Sequence, residues 1–127
     1  MATRPTFNSG DVFTAANANI LASSIVALNT QAGTAYTAAL TDVGRLVSFT
    51  SGTAVAFTVP ANATVAFAVG DQINIYQAGT ATVTITPAAT VTIRSSGSKL
   101  KTNDQFSVAT CIKIDTNEWI ALGNLKA

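Results

Sequence analysis

The stretch Phe106-Ser107-Val108-Ala109-Thr110-Cys111-Ile112-Lys113-Ile114 alternates with a period of two. It is followed by Asp115-Thr116-Asn117 and then by Trp119-Ile120-Ala121-Leu122. A period of two marks a strand, because successive side chains point to opposite faces of a sheet. The turn residues between the two runs predict a hairpin. The same period extends back through the chain. Leu46 and Val47 open a strand that runs to about Thr50, and Val55, Phe57 and Val59 alternate with Ala54, Ala56 and Thr58. Val65, Phe67 and Val69 repeat the pattern, as do Ile73 and Ile75, Val83 and Ile85, and Val91 and Ile93. Ser51-Gly52, Pro60-Ala61-Asn62, Gly70-Asp71, Ala78-Gly79-Thr80, Pro87-Ala88-Ala89 and Ser95-Ser96-Gly97-Ser98 punctuate these runs. Turn signals roughly every eight to twelve residues predict a mainly β domain over residues 42–127. The expected architecture is an antiparallel β-sandwich or barrel-like domain of about eight short strands.

A weak internal repeat lies within this region. Gly52-Thr53-Ala54 precedes Pro60 as Gly79-Thr80-Ala81 precedes Pro87, and a Thr-Val pair follows each proline, at Thr64-Val65 and Thr90-Val91. The expectation is one hairpin pattern used twice, since a solenoid needs three or more units.

The first thirty residues read differently. Pro5 disfavours helix at Arg4, and Asn8-Ser9-Gly10-Asp11 is a turn cluster, so residues 1–13 are expected to form an extended arm. Thr14 can cap a helix from Ala15 to about Asn29, a span rich in Ala and free of Gly and Pro. Ala18, Leu21, Ile25 and Leu28 then form one seam at heptad spacing. The seam packs either on the protein's own β-domain or between identical subunits. Full burial of Leu21, Ile25 and Leu28 contributes roughly 1.5–3 kcal/mol each. Residues 1–30 are therefore read as a docking arm and helix, and residues 31–41, small and containing Gly33, as a linker.

Composition narrows the function. Hydrophobic residues make up 48% of the 127, which excludes a disordered chain. Charged residues make up only 10%, with a net charge of +1, against about 25% charged in an average domain. A surface of Thr, Ser, Asn and Ala repels its neighbours weakly, which suits a subunit packed in an assembly. So weak a field against phosphate disfavours nucleic acid as a partner, the only basic cluster being Arg94, Lys99 and Lys101. No apolar run approaches the ~20 residues that span a bilayer, and Met1 to Pro5 lacks a signal peptide's apolar core, so synthesis in a cytoplasm is expected.

Catalytic chemistry finds little support. The chain has no histidine, which removes the commonest general base and the commonest zinc ligand. Cys111, the only cysteine, is expected to be a small packing residue. Asp71 with Asp104, or Asp115 with Glu118, are formal candidates for a carboxylate pair, and Asp115, Asn117 and Glu118 for calcium, but neither spacing fits the chemistry. Asn62-Ala63-Thr64 matches a glycosylation acceptor and reads as a turn. No catalytic residue, cofactor or metal is expected. Tyr76, on the polar side of its strand, and Trp119 are the candidate surface contacts for a sugar.

Several motifs resemble a known module. These are Leu40-Thr41-Asp42 with Gly44-Arg45-Leu46-Val47, and Val69-Gly70-Asp71 with Ile73. The closest run is Val91-Thr92-Ile93-Arg94-Ser95-Ser96-Gly97, Lys99-Leu100-Lys101, Gln105-Phe106, Ala109-Thr110 with Ile112-Lys113, Thr116-Asn117-Glu118-Trp119 and Gly123-Asn124-Leu125. Together they resemble the β-rich module of tailed-bacteriophage structural proteins: minor tail proteins, tail fibres and capsid-surface decoration proteins. Thr3-Arg4-Pro5-Thr6-Phe7 with Ser9-Gly10-Asp11 resembles the start of such proteins. The resemblance implies a non-enzymatic virion component, a short homotrimer that docks on other capsid or tail proteins by its N-terminal arm and displays its β-domain outward. Phe7, Val12 and Phe13 are the expected docking residues, and the helix seam the expected oligomer interface. The alternative is a carbohydrate-binding module or adhesin contacting a host-surface glycan.

Overall fold

The computed structural model describes residues 27–127, and the arm and most of the expected helix lie outside them. Eleven short strands are present among the described residues. In chain order they are β1 (Leu28–Gln31), β2 (Ala35–Thr37), β3 (Leu46–Phe49), β4 (Val55–Val59), β5 (Gln72–Gln77) and β6 (Val83–Pro87). There follow β7 (Thr92–Arg94), β8 (Lys101–Thr102), β9 (Val108–Asp115), β10 (Glu118–Gly123) and β11 (Leu125–Lys126). They build a six-stranded sheet in the order β1-β3-β5-β9-β10-β7 and a five-stranded sheet in the order β11-β8-β6-β4-β2. One apolar core lies between the sheets, and Phe49 of the first meets Phe57 of the second edge-on at 5.8 Å.

The sandwich-like, mainly β character agrees with the sequence, but the sheets are mixed rather than antiparallel. From β1 to β6 the chain alternates between the two sheets. β1, β3 and β5 are therefore parallel neighbours in one sheet, and β2, β4 and β6 in the other. The chain winds like a short coil. The Ser51-Gly52 and Ala78-Gly79 turns carry it across the core instead of back alongside the preceding strand. Alternation has the same period in either case, so sequence patterning does not separate a hairpin from a crossover. The repeat accordingly marks two stacked turns of a winding, not two hairpins. Val55 lies beside Val83, Phe57 beside Ile85 and Val59 beside Pro87. The one expected hairpin that is present joins β9 to β10. It is inserted between β5 and β7, which it separates within the six-stranded sheet.

Three further expectations change. Leu28 and Asn29, assigned to the end of the helix, belong to β1, where Leu28 pairs with Leu46. The linker holds β2 and a single 3-10 turn at Leu40–Asp42. Residues 65–69 alternate but form no strand; this segment is a loop whose Phe67 is buried against Trp119, with ring centroids 5.3 Å apart.

Three buried polar groups pin the winding. Asp42 is 1% exposed and accepts hydrogen bonds from Tyr36 Oη (2.7 Å), Asn29 Nδ2 (2.9 Å) and the Ala39 amide (2.9 Å), so it ties β1 to β2. Thr102 of β8 donates its hydroxyl to Gln77 of β5, joining the two sheets. The ammonium of Lys113, 2% exposed, donates to Asn62 Oδ1 at 2.6 Å and to the Phe67 carbonyl at 2.7 Å, clamping the 60–70 loop against β9. These contacts satisfy polar atoms that would otherwise cost free energy in the core.

Gly79 marks the point where two turns of the winding touch. A Cβ there would stand 2.3 Å from the Ser51 carbonyl oxygen and 2.6 Å from Thr50 backbone atoms. Gly79→Ala should destabilise the fold by about 1–3 kcal/mol through overpacking, read as a lower urea midpoint. Lys113→Met keeps the volume but strands the Phe67 carbonyl, and should cost about 2–3 kcal/mol by the same measurement. A midpoint unchanged from wild type would refute the loop clamp.

Candidate functional site

The two outward faces of the sandwich differ in chemistry. The five-stranded sheet shows solvent Ala35, Thr37, Ala56, Thr58, Thr84 and Thr86, small residues that suit a solvated β-surface. The six-stranded sheet turns large apolar side chains outward. Its strand β9 puts Ala109, Cys111 and Lys113 into the core and Val108, Ile112 and Ile114 outside. Strand β10 buries Trp119 and Ala121 and presents Ile120 and Leu122. Inside, the indole of Trp119 stands opposite Lys113 and packs edge-on against Phe67, while Cys111 and Ala109 face Ala121 and Gly123.

Pairing places these outward residues in rows. Leu28, Leu46, Asn74, Thr110 and Leu122 lie side by side across β1, β3, β5, β9 and β10. The next row on one side holds Ser48, Tyr76 and Val108, and the next on the other holds Gln72, Ile112 and Ile120. Leu28 is 64% exposed, Leu122 49% and Val108 45%. The polar centre of this face is satisfied from within. Thr110 Oγ1 donates to Asn74 Oδ1 at 2.8 Å, Gln72 Nε2 donates to the same oxygen at 3.0 Å, and Asn74 Nδ2 donates to the Arg45 carbonyl at 3.3 Å. A partner can therefore cover the face while these bonds persist. Charge is confined to the margin, where Arg94 and Glu118 pair with each other. The face thus sets exposed apolar side chains around a polar centre, which makes it the candidate site among the described residues.

The candidate residues fall in different places. Tyr76 is half-buried on the outward face, between Ser48 and Val108. Trp119 is 1% exposed and belongs to the core, so it is not available as a surface contact. Leu28 lies on the face but in a strand. Ala18, Leu21 and Ile25 of the seam, and Phe7, Val12 and Phe13 of the arm, lie outside the described residues. The carboxylates have local partners. Asp71 accepts from the Ala68 amide, Asp104 from Ser107 and Asp115 from the Thr116 amide. Asn117 Oδ1 accepts from the Asn62 amide at 2.9 Å. Among the described residues no three His, Cys, Asp or Glu side chains come together to hold a metal, and no helix is long and apolar enough to cross a membrane.

The sequence reading missed this face, although it carried a signal. On β9 the large apolar residues alternate with Ala109 and Cys111, which are small. The core side of a strand is set by its neighbours, here by how β9 pairs with β5 and β10. Comparison of the chain with known protein families, with curated proteins and with solved structures finds no match.

Burial pushes the Cys111 thiol up to about 12. Burial, and then the hydrogen bond and negative charge of Asp42, push the Tyr36 hydroxyl up to about 12. Both groups keep their protons in the folded state after the unfolded chain has begun to ionise, so unfolding gains as pH rises. Their contribution should be intact below about pH 9 and lost progressively towards pH 12. Urea midpoints should therefore fall between pH 9 and 11, and Cys111→Ala should flatten part of that slope. At pH 8 a thiol reagent should label Cys111 only after denaturation.

Proposed function

We propose that the protein is a non-enzymatic structural subunit of a tailed-phage virion, a short homotrimeric surface protein. It docks on other capsid or tail proteins by its N-terminal arm and displays its β-domain outward. The observation that carries this reading is the difference between the two outward faces. One is apolar, free of charge except at its margin and satisfied in its polar bonds, as an attached side should be. The other carries threonine and alanine, with Lys101 beside Thr84 and Lys126 next to it at one edge, as a displayed side should. The motif resemblance spread from Leu40 to Leu125 supports the same reading, and so does a surface with too few charges to keep subunits apart. In this role the protein acts by holding a position, with Phe7, Val12 and Phe13 buried against the particle. The glycan-binding alternative now rests on Tyr76 alone, since Trp119 is enclosed.

Light scattering of the purified full chain should give a mass of about 39 kDa, three times the 13.0 kDa subunit. Mass spectrometry of purified particles of the phage that encodes it should find the protein in the virion. A monomer absent from particles would sink this reading. Glycan binding abolished by Tyr76→Ala would replace it with the alternative.

A further inference from the structure

The displayed sheet carries a cluster of charge at one edge that a purely structural role leaves idle. We propose that this edge, formed by Lys99, Lys101 and Lys126, binds an acidic polysaccharide, and that the cleft beside Lys99 receives one of its acidic sugar units.

Strand pairing brings the three lysines together. Lys126 of β11 lies directly beside Lys101 of β8, which in turn lies beside Thr84 of β6. Lys99 has extended backbone, and the Ile85 amide donates to the Leu100 carbonyl at 2.7 Å, so the pairing with β6 continues past Lys101. Two residues apart on an extended chain, Lys99 and Lys101 share the outward side. All three lysines are exposed. Arg94, their neighbour in the sequence, is taken by Glu118 in the one ion pair among the described residues. No carboxylate there neutralises the three lysines. Like charges directly opposite on neighbouring strands repel, so Lys101 and Lys126 sustain a field that an anion laid between them relieves.

The surroundings select the kind of anion. From the lysines, two rows of small side chains run across the sheet to β2: Thr84, Ala56 and Ala35 in one, Thr86, Thr58 and Thr37 in the other. The distance from β11 to β2 is four strand spacings, about 19 Å. Small side chains let an extended polymer lie close, and threonine hydroxyls both donate and accept, as sugar hydroxyls require. No aromatic residue projects from this side of β2, β4 and β6. Nucleic-acid bases therefore have nothing to stack on, and a lipid surface meets no large apolar group to insert. The cleft adds a second feature. It measures about 210 Å³ and lies at the border of the two sheets, with Ser95, Ser96 and Lys99 on its polar side and Leu122 and Leu125 on its apolar side. Ser95 donates its hydroxyl to the Lys99 carbonyl at 2.6 Å, which holds the backbone that carries the ammonium. Drug-sized ligands need about 300 Å³ or more, so this cleft suits a single sugar unit. An ammonium, hydroxyls and an apolar wall match the carboxylate, hydroxyls and ring face of a uronic acid.

The inference takes the displayed side from the virion reading and names what that side meets. Binding is measured on the purified full chain and virion membership on particles, so either can fail alone. The probes are polygalacturonate, dextran sulfate and neutral dextran, each cast into a native gel, with retardation of the protein as the readout. Polygalacturonate should retard the wild type at low salt, and neutral dextran should not. The same interaction, followed in solution, should vanish in about 1 M salt, where charges are screened beyond ~3 Å. Lys99→Gln, Lys101→Gln and Lys126→Gln together should weaken binding about tenfold or more. Arg45→Gln removes an exposed cation elsewhere and should leave binding nearly unchanged. Lys126→Glu should weaken binding yet raise the urea midpoint, because an opposite charge then stands beside Lys101. That gain separates a lost site from a damaged fold. Retardation by dextran sulfate as well supports an edge that reads charge. Retardation by neutral dextran, undiminished binding by the triple variant, an equal loss in Arg45→Gln, or no binding to any acidic polymer would each overturn the proposal. Loss in Tyr76→Ala but not in the lysine variants would also overturn it and move the glycan to the other sheet.

Discussion

The space between the two sheets is the constraint from which the rest follows. Trp119, Phe67, Phe49 and Phe57 fill it from four different parts of the chain, and Ile73, Ile75 and Ile85 complete it. The inward positions of β9 hold two small side chains and one long one that reaches a polar anchor. Ala109 and Cys111 are the small ones. Lys113 is the long one: its aliphatic stem crosses the core and its ammonium finds the Asn62 and Phe67 oxygens. The bulk of Val108, Ile112 and Ile114 is then displaced to the other side of the sheet. The apolar outward face is thus a consequence of how the interior is filled.

A second constraint comes from the winding. Strands that cross between sheets lack the local register that a tight hairpin provides. Here the register is held by buried polar ties. Asp42 joins the start of the winding, Gln77 and Thr102 join its middle, and Lys113 fixes the loop that covers its far end. A donor or acceptor that loses its partner in the core is penalised more than a displaced apolar group, so each tie penalises slippage.

The class of the fold was legible in the sequence, and its handling of direction was not. Alternation located most strands and the Thr116-Asn117 turn, because period two reflects burial of one side. It failed at residues 65–69, which alternate but find no strand partner and are held by the burial of Phe67 and the Lys113 ammonium on its carbonyl. It failed again at Leu28, where helix propensity lost to pairing with Leu46, a contact that no local window contains. The parity of Cys111 relative to Ile112 and Ile114 was readable. Which parity faced the core was not, since that depends on how β9 pairs with β5 and β10. The candidate site was therefore half visible: Tyr76 was singled out for its position, while Ile112, Ile120 and Leu122 on the same face were read only as parts of strands.

The placement of the β9–β10 hairpin has a kinetic meaning. It follows both strands that it separates in the chain, yet it lies between them in the six-stranded sheet, with β5 on one side and β7 on the other. Until residues 108–123 have left the ribosome, β5 and β7 each carry an unpaired edge, and such edges invite pairing with other chains. Folding of the domain is consequently deferred until this hairpin has been made, and its many nonlocal pairings make that step slow. A cell producing many copies at once holds a pool of nascent chains with open edges, so fast synthesis or high temperature will cost yield before it costs the stability of the finished subunit.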